Sequence, residues 1–184
     1  MKKKILFTCM VLFFIFVLCA CSQKQKDEIL SSLDEKRILQ DQSFTVSLND
    51  WGNVRFVSYG PDSGNDFEDV SFYLVKDNTI LYSFPAYCEN NSTVNYVGLF
   101  DSVAGVSFYD VNQDTVKDVI VIINYVTGAG PQGMTPRPTV RIFLADKKEF
   151  YLATDFMNEI TETIAEKDLT LTTICDFLDS KKVK

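Results

Sequence analysis

No histidine occurs anywhere in the 184 residues. That absence excludes a Ser-His-Asp or Cys-His relay and any zinc site that uses imidazole. Basic residues are in the minority: 18 Lys and Arg stand against 25 Asp and Glu, for a net charge of −7. An acidic domain repels nucleic-acid phosphates and anionic headgroups, so nucleic acid is not an expected partner. The Gly-x-Gly-x-x-Gly spacing occurs once, at Gly128-Ala-Gly130-Pro-Gln-Gly133, but a Pro-rich segment and no helix pattern follows it, and no Gly-rich turn ends in Lys-Ser or Lys-Thr, so it is a weak phosphate cradle. No repeat of fixed period is visible. Hydrolysis by paired carboxylates stays open, because acids are abundant and that chemistry needs no imidazole.

The start of the chain differs in kind from the rest. Met1-Lys-Lys-Lys4 leads into an apolar run from Ile5 to Leu18, which ends in Leu18-Cys19-Ala20-Cys21. The run is too short, and too soon followed by a small residue, to read as a spanning helix. Leu-x-Ala-Cys resembles a bacterial lipobox. The resemblance implies cleavage before Cys21 and a diacylglycerol on its sulfur, with two acyl chains giving durable anchoring. Residues 1–20 are then a signal peptide. They carry three lysines and no acid, so the mature charge is about −10. The expected location is the bacterial cell envelope, outside the cytoplasm and held to the membrane through Cys21. Ser22 is not a retention signal of the aspartate kind, so the outer membrane is expected where two membranes exist.

Of five cysteines, Cys9 and Cys19 leave with the leader and Cys21 is spent on lipid. Cys88 and Cys175 remain. Export permits a disulfide between them. The alternative is two buried thiols, since a domain of this size needs no staple.

Residues 21–42 are polar and charged with scattered Ile and Leu, and read as a tether of some helical tendency. A single β-rich domain is expected over 43–180. Ser43–Leu48 and Asn53–Tyr59 flank an Asn-Asp-Trp-Gly turn, and Val70–Lys76 and Thr79–Phe84 flank Asp77-Asn78, a pair suited to a tight hairpin. Tyr96–Phe100 and Val103–Tyr109 follow as two strands. Val119–Tyr125 is apolar nearly throughout, as a strand covered on both faces should be. Thr139–Leu144 and Glu149–Leu152 pair across Ala145 to Lys148. Tyr73, Tyr82, Phe84, Tyr109 and Phe143 sit in these runs and read as core rather than as a sugar platform.

The period then changes. Phe156, Ile160 and Ile164 recur every four residues behind Thr154 or Asp155 as cap. Leu171, Ile174 and Leu178 form a second stripe behind Asp168 or Thr170. Strands first and helices last predict a β-rich α+β fold: a mainly antiparallel sheet domain with one or two C-terminal helices.

The stretch with the most chemical content is Asp110-Val-Asn-Gln-Asp-Thr-Val-Lys-Asp118. Asp110, Asn112, Asp114 and Asp118 place side-chain oxygens at loop positions 1, 3, 5 and 9, and Val116 offers a carbonyl at position 7. Alternate oxygens on a curled loop converge, which suits a hard cation such as Ca²⁺. Three carboxylates so close repel one another unless a cation or solvent offsets them. Position 12 is Val121, so the bidentate Glu of an EF-hand is missing, and a strand leaves the loop instead of a helix.

Asp-x-Asn-x-Asp-x-x-x-Asp entering a strand resembles the calcium loops of FG-GAP and VCBS-type repeat proteins. It is similar also to small bacterial envelope lipoproteins, some of which are lysozyme inhibitors or effector-immunity proteins. The resemblance implies a bound Ca²⁺, and a metal-free acidic turn is the alternative; with no activated nucleophile evident, a bound ion is expected to be structural and not catalytic. One copy is too few for a propeller. The chain departs from the pattern at position 6, where Thr115 replaces a glycine with φ > 0, at a cost of about 1–2 kcal/mol if that conformation is kept.

Thr127 to Pro138 is a long Gly/Pro-rich segment between two strong strands. It is open to two readings, a protruding recognition loop with Met134 and Arg137 as contacts or a wide connection without a partner. The lysozyme-inhibitor lipoproteins present a loop of this general kind to the enzyme cleft. Asp62, Asn65, Asp66, Glu68 and Asp69 cluster irregularly, as a solvated acidic loop or a second cation site. The expected function is that of a non-enzymatic, lipid-anchored envelope domain binding a protein or glycan, in its sharper form an inhibitor of lysozyme-like hydrolases. The alternatives are a carboxylate-dependent hydrolase of wall polysaccharide and a structural envelope protein.

Overall fold

A computed structural model describes residues 33–65, 68–87 and 98–181. Cys21, Asp66, Cys88 and the start of the strand expected from Tyr96 lie outside them. The described part is a β-rich α+β domain of two four-stranded antiparallel sheets followed by two helices. The first sheet has the order β1 (Phe44–Leu48), β2 (Gly52–Tyr59), β3 (Ser71–Lys76), β4 (Thr79–Ser83). The second has the order β5 (Leu99–Tyr109), β6 (Asp118–Val126), β7 (Arg137–Asp146), β8 (Glu149–Leu152). Helices α1 (Thr154–Thr163) and α2 (Leu171–Lys181) close the chain. Among the described residues no helix is long and apolar enough to cross a membrane.

Local sequence explains the hairpins. Asp77 and Asn78 take φ of 50° and 61°, the left-handed pair that a two-residue turn needs, and Asn and Asp bear that conformation best. β7 runs on to Asp146, so its turn to β8 is only Lys147-Lys148. The strands expected at 96–100 and 103–109 are one strand over the described stretch. β5 continues through register shifts at Phe100/Ser102 and Val103/Gly105, where bulges absorb the residues that break the alternation.

β6 is the axis of the domain. Every residue in it except Asn124 is buried. It pairs with β5 on one side and β7 on the other, and both of its faces are covered. Val119 lies opposite Phe143, whose ring meets Phe72 and Phe84 of the first sheet. Ile120 and Ile122 alternate to the other face, where they lie opposite Ile142 and Val140, and Ile160, Ile174 and Leu178 of the helices belong to the same buried core. The layers are therefore sheet, sheet and helices. Phe56, fully buried, bridges the two sheets by an edge-on contact with Phe108 at 5.5 Å. Phe84 and Phe143 are core as expected. Tyr73 instead meets Tyr59 on the outer face of the first sheet, with ring centroids 5.9 Å apart.

Helix entry is decided by docking as well as by local caps. Ala153, not Thr154 or Asp155, is the cap residue of α1. It is buried and its N–H donates to Ile142 on β7, so the sheet sets where this helix begins. Asp155 still lies in the first turn, where its charge suits the helix dipole. At α2, Thr170 does act as cap: Thr173 N–H donates to its Oγ1 at 3.1 Å, and its own N–H donates to Thr173 Oγ1 at 3.0 Å.

Residues 34–42, read from sequence as the end of a tether, lie along β2. Leu39 N–H donates to Ser58 O at 2.9 Å, and Gly60 N–H to Arg37 O at 2.8 Å. The Arg37 side chain stacks on Tyr59 and donates to Gly60 O.

Candidate functional site

The Asp110–Asp118 loop joins β5 to β6, held at its base by the Tyr109–Asp118 pair. Its shape comes from its own amides. Asp110 accepts from Asp114 N–H on Oδ1 and from Thr115 N–H on Oδ2, each at 3.0 Å. Asn112 Oδ1 accepts from the same Asp114 N–H at 3.2 Å, and Asp114 Oδ1 accepts from Val116 N–H at 2.8 Å. Asn112 Nδ2 donates to Asp114 Oδ2 at 2.9 Å. Asp110, Asn112 and Asp114 are thus brought together around one turn.

Asp118 is not in that group. It is 0% exposed and lies beneath the loop. One oxygen accepts from Val111 N–H and the other from Ala145 N–H on β7, both at 2.8 Å. Burial pushes its carboxyl up to about 6. Those two amides pull the other way, and Asp114 and Asp110 add to the rise. Among the described residues no three carboxylate, thiol or imidazole side chains gather closely enough to hold a metal ion. The loop is pre-shaped but does not form a closed cage of carboxylates.

The backbone carries the strain that the sequence foreshadowed. Thr115 takes φ of 71° and Gln113 takes 65°. A β-branched residue in this region costs about 1–2 kcal/mol and persists only where neighbours over-determine it. The amide bond from Thr115 to Asp110 is one such constraint.

The Gly/Pro-rich segment lies at the other end of β6. Nine residues of strand separate the two loops, roughly 30 Å, so they cannot belong to one site. The segment is knotted by its own backbone: Gly128 N–H donates to Gly133 O, Gly133 N–H to Gly130 O and Thr135 N–H to Gln132 O. A side chain at Gly133 would lie 2.5 Å from Ala129 N, so only glycine fits there. Met134 stands out from this rigid turn at 74% exposure. Arg137 is the first residue of β7, opposite Tyr125, and so belongs to the strand and not to the loop tip.

The acidic stretch at 62–69 is only partly in water. Glu68 forms an ion pair with Arg37 and accepts from Asp62 N–H at 2.9 Å, and that amide leads in holding its carboxyl below the usual range. Asp69 accepts from Tyr125 Oη–H at 2.9 Å and pairs with Arg141. These acids are spent on the protein's own cations.

Sequence reasoning missed Arg141, 2% exposed and at an inward position of β7. Its guanidinium reaches Asp69 and the Tyr125 hydroxyl and lies under the Tyr87 ring. The signal was a lone arginine inside the apolar run Thr139–Leu144. Cys175 packs against the core from α2. Whether it bridges to Cys88 involves a residue outside the described ones.

Comparison with known proteins gives no match to a family model, to a curated protein or to a solved structure.

Proposed function

We propose that this chain is a non-catalytic, lipid-anchored cell-envelope domain that binds a protein or glycan partner and carries a structural calcium loop. The observation that carries the binding role is the self-bonded turn that holds Met134 out in solvent. A rigid scaffold presenting an exposed, adaptable apolar side chain is the anatomy of a recognition loop. The anchor rests on the Leu18-Cys19-Ala20-Cys21 lipobox. A sharper form has the partner as a lysozyme-like hydrolase. Many such enzymes are basic, and the acidic surface would speed encounter.

Calcium binding is supported by the loop's backbone, which keeps φ > 0 at Thr115 although a glycine would hold it more cheaply. Asp110, Asn112 and Asp114 would supply oxygens, with the Val116 carbonyl. Asp118 would contribute whatever capacity its two amide bonds leave. The ion, when bound, supplies charge neutralisation and cross-linking, not chemistry.

A muramidase panel tests the binding role. The expected result is saturable inhibition that Met134→Asp abolishes. Undiminished hydrolysis at excess protein removes the inhibitor form. The metal is tested separately by melting in calcium against chelator. Calcium is expected to raise Tm, and Asp114→Ala to abolish the rise. A curve indifferent to both conditions shows the loop to be a metal-free turn.

A further inference from the structure

The two lateral edges of the paired sheets are finished differently. At the β4/β8 edge, the Tyr82 hydroxyl donates to Phe150 O and accepts from Phe150 N–H, so one side chain does the work of a neighbouring strand. At the opposite edge, β1 ends one sheet and β5 ends the other, and among the described residues no strand pairs with either outer side. There the sheets stand apart around a groove of about 420 Å³. Its walls are Phe44, Thr45 and Val46 from β1, Val106, Ser107 and Phe108 from β5, and Lys117 from the acidic loop. Phe44 lies opposite buried Phe56 in the ladder and so faces inward, yet it is 38% exposed, and among the described residues no strand closes this side.

We infer that this groove binds an extended peptide segment of a protein partner, which adds as a strand along the open edge, seats alternate apolar side chains between Phe44 and Phe108, and presents a carboxylate to Lys117. Three features select that occupant. Unpaired strand edges offer main-chain donors and acceptors, and pockets for alternate side chains give such pairing its specificity. The bulges of β5 end at Gly105, so the ladder beside the groove, from Val106 to Tyr109, is regular and can template a new strand. Lys117 is the single charged residue in the lining, on a chain with 25 acids against 18 bases, so the groove is locally cationic where its surroundings are not. The inference rests on the reading of the domain as a binding module. It does not rest on calcium or on the Met134 loop.

The test is selection of a random nine-residue peptide library against the intact exported domain, followed by anisotropy and amide chemical-shift mapping with the enriched peptides. Enriched sequences are expected to lack proline, to alternate apolar residues and to carry an acid. They are expected to shift the amides of Phe44–Val46 and Val106–Phe108. Lys117→Glu should weaken them by about fivefold or more and select basic sequences in their place. A proline placed mid-peptide should abolish binding, because it removes a ladder donor. Enriched peptides that map to the Met134 loop would leave the binding module standing and remove the groove. Failure to enrich any peptide would overturn the groove, while recognition of a folded partner through the Met134 loop is decided separately by the muramidase panel. A concentration-dependent dimer that protects the same amides and excludes peptide would also overturn the inference, assigning the edge to a second copy of this chain.

Discussion

The hydroxyl of Tyr82 sits 2.9 Å from both the backbone nitrogen and the backbone oxygen of Phe150, donating to one and accepting from the other. It ties β4 to β8 across the gap between the sheets. Burial and this clasp together govern the phenol, with burial leading in pushing its pKa up. Tyr82→Phe keeps the ring contacts with Phe84 and Phe150 but leaves the Phe150 N–H and C=O without that partner. The expected loss is about 1–3 kcal/mol, seen as a fall in the urea midpoint with an unchanged slope. An unchanged midpoint would mean that water replaces the hydroxyl at no cost.

Asp118 should make stability depend on pH in the sense opposite to most paired acids. Its carboxyl is near 6 in the folded chain and near 3.9 unfolded. The folded state therefore holds the proton more tightly. The stabilisation is fully present below about pH 4 and is lost as pH rises through about 6. The change is at most about 3 kcal/mol, from a shift of about two units. Glu68, with its carboxyl held low, acts in the other direction and loses its contribution as pH falls. The difference in unfolding free energy between wild type and Asp118→Asn, measured in chelator from pH 4 to 7, isolates the first effect. It should shrink steadily toward neutrality, and a flat difference would contradict it.

Thr115→Gly should stabilise the domain in chelator. Glycine removes about 1–2 kcal/mol of left-handed strain and returns roughly 0.4–1 kcal/mol through the freer unfolded chain. The net gain is between about 0 and 1.6 kcal/mol, at about 2–4 °C in Tm per kcal/mol for a domain of this size. A less stable variant would show that the threonine side chain makes contacts worth more than the strain.

Gly133→Ala should disrupt the Met134 turn without touching the core. The added carbon would collide with backbone atoms of Ala129, which cannot swing aside as a side chain could. A cost of about 1–3 kcal/mol is expected. It should come with faster protease cleavage between Gly128 and Thr135 and loss of any binding that depends on Met134. Unaltered cleavage would show that the turn is looser than its hydrogen bonds imply.

Much of the architecture is legible along the chain because its causes are local. Alternation in Ser71–Lys76 marks a half-buried strand, and the unbroken apolar run from Val119 marks a strand covered twice. Asp77-Asn78 dictates its turn by backbone sterics. The single strand β5 looks like two along the chain because its bulges interrupt the period, and a bulge is visible only against a partner strand. The acidic loop was placed correctly between β5 and β6, but its four oxygen-bearing residues look equivalent in sequence and are not equivalent in space.

By itself the sequence determined the β-rich class, most of the strand positions, the turn chemistry and the helical stripes, since each follows from neighbours a few residues apart. Only the tertiary structure decided which acid is buried beneath the loop and bonded to β7, which arginine is paired inside, and which edge of the sheets is left open. Those outcomes depend on what distant segments bring to the same place. Asp118 meets Ala145, Arg141 meets Asp69 and Phe56 meets Phe108 across spans of chain over which no local pattern runs.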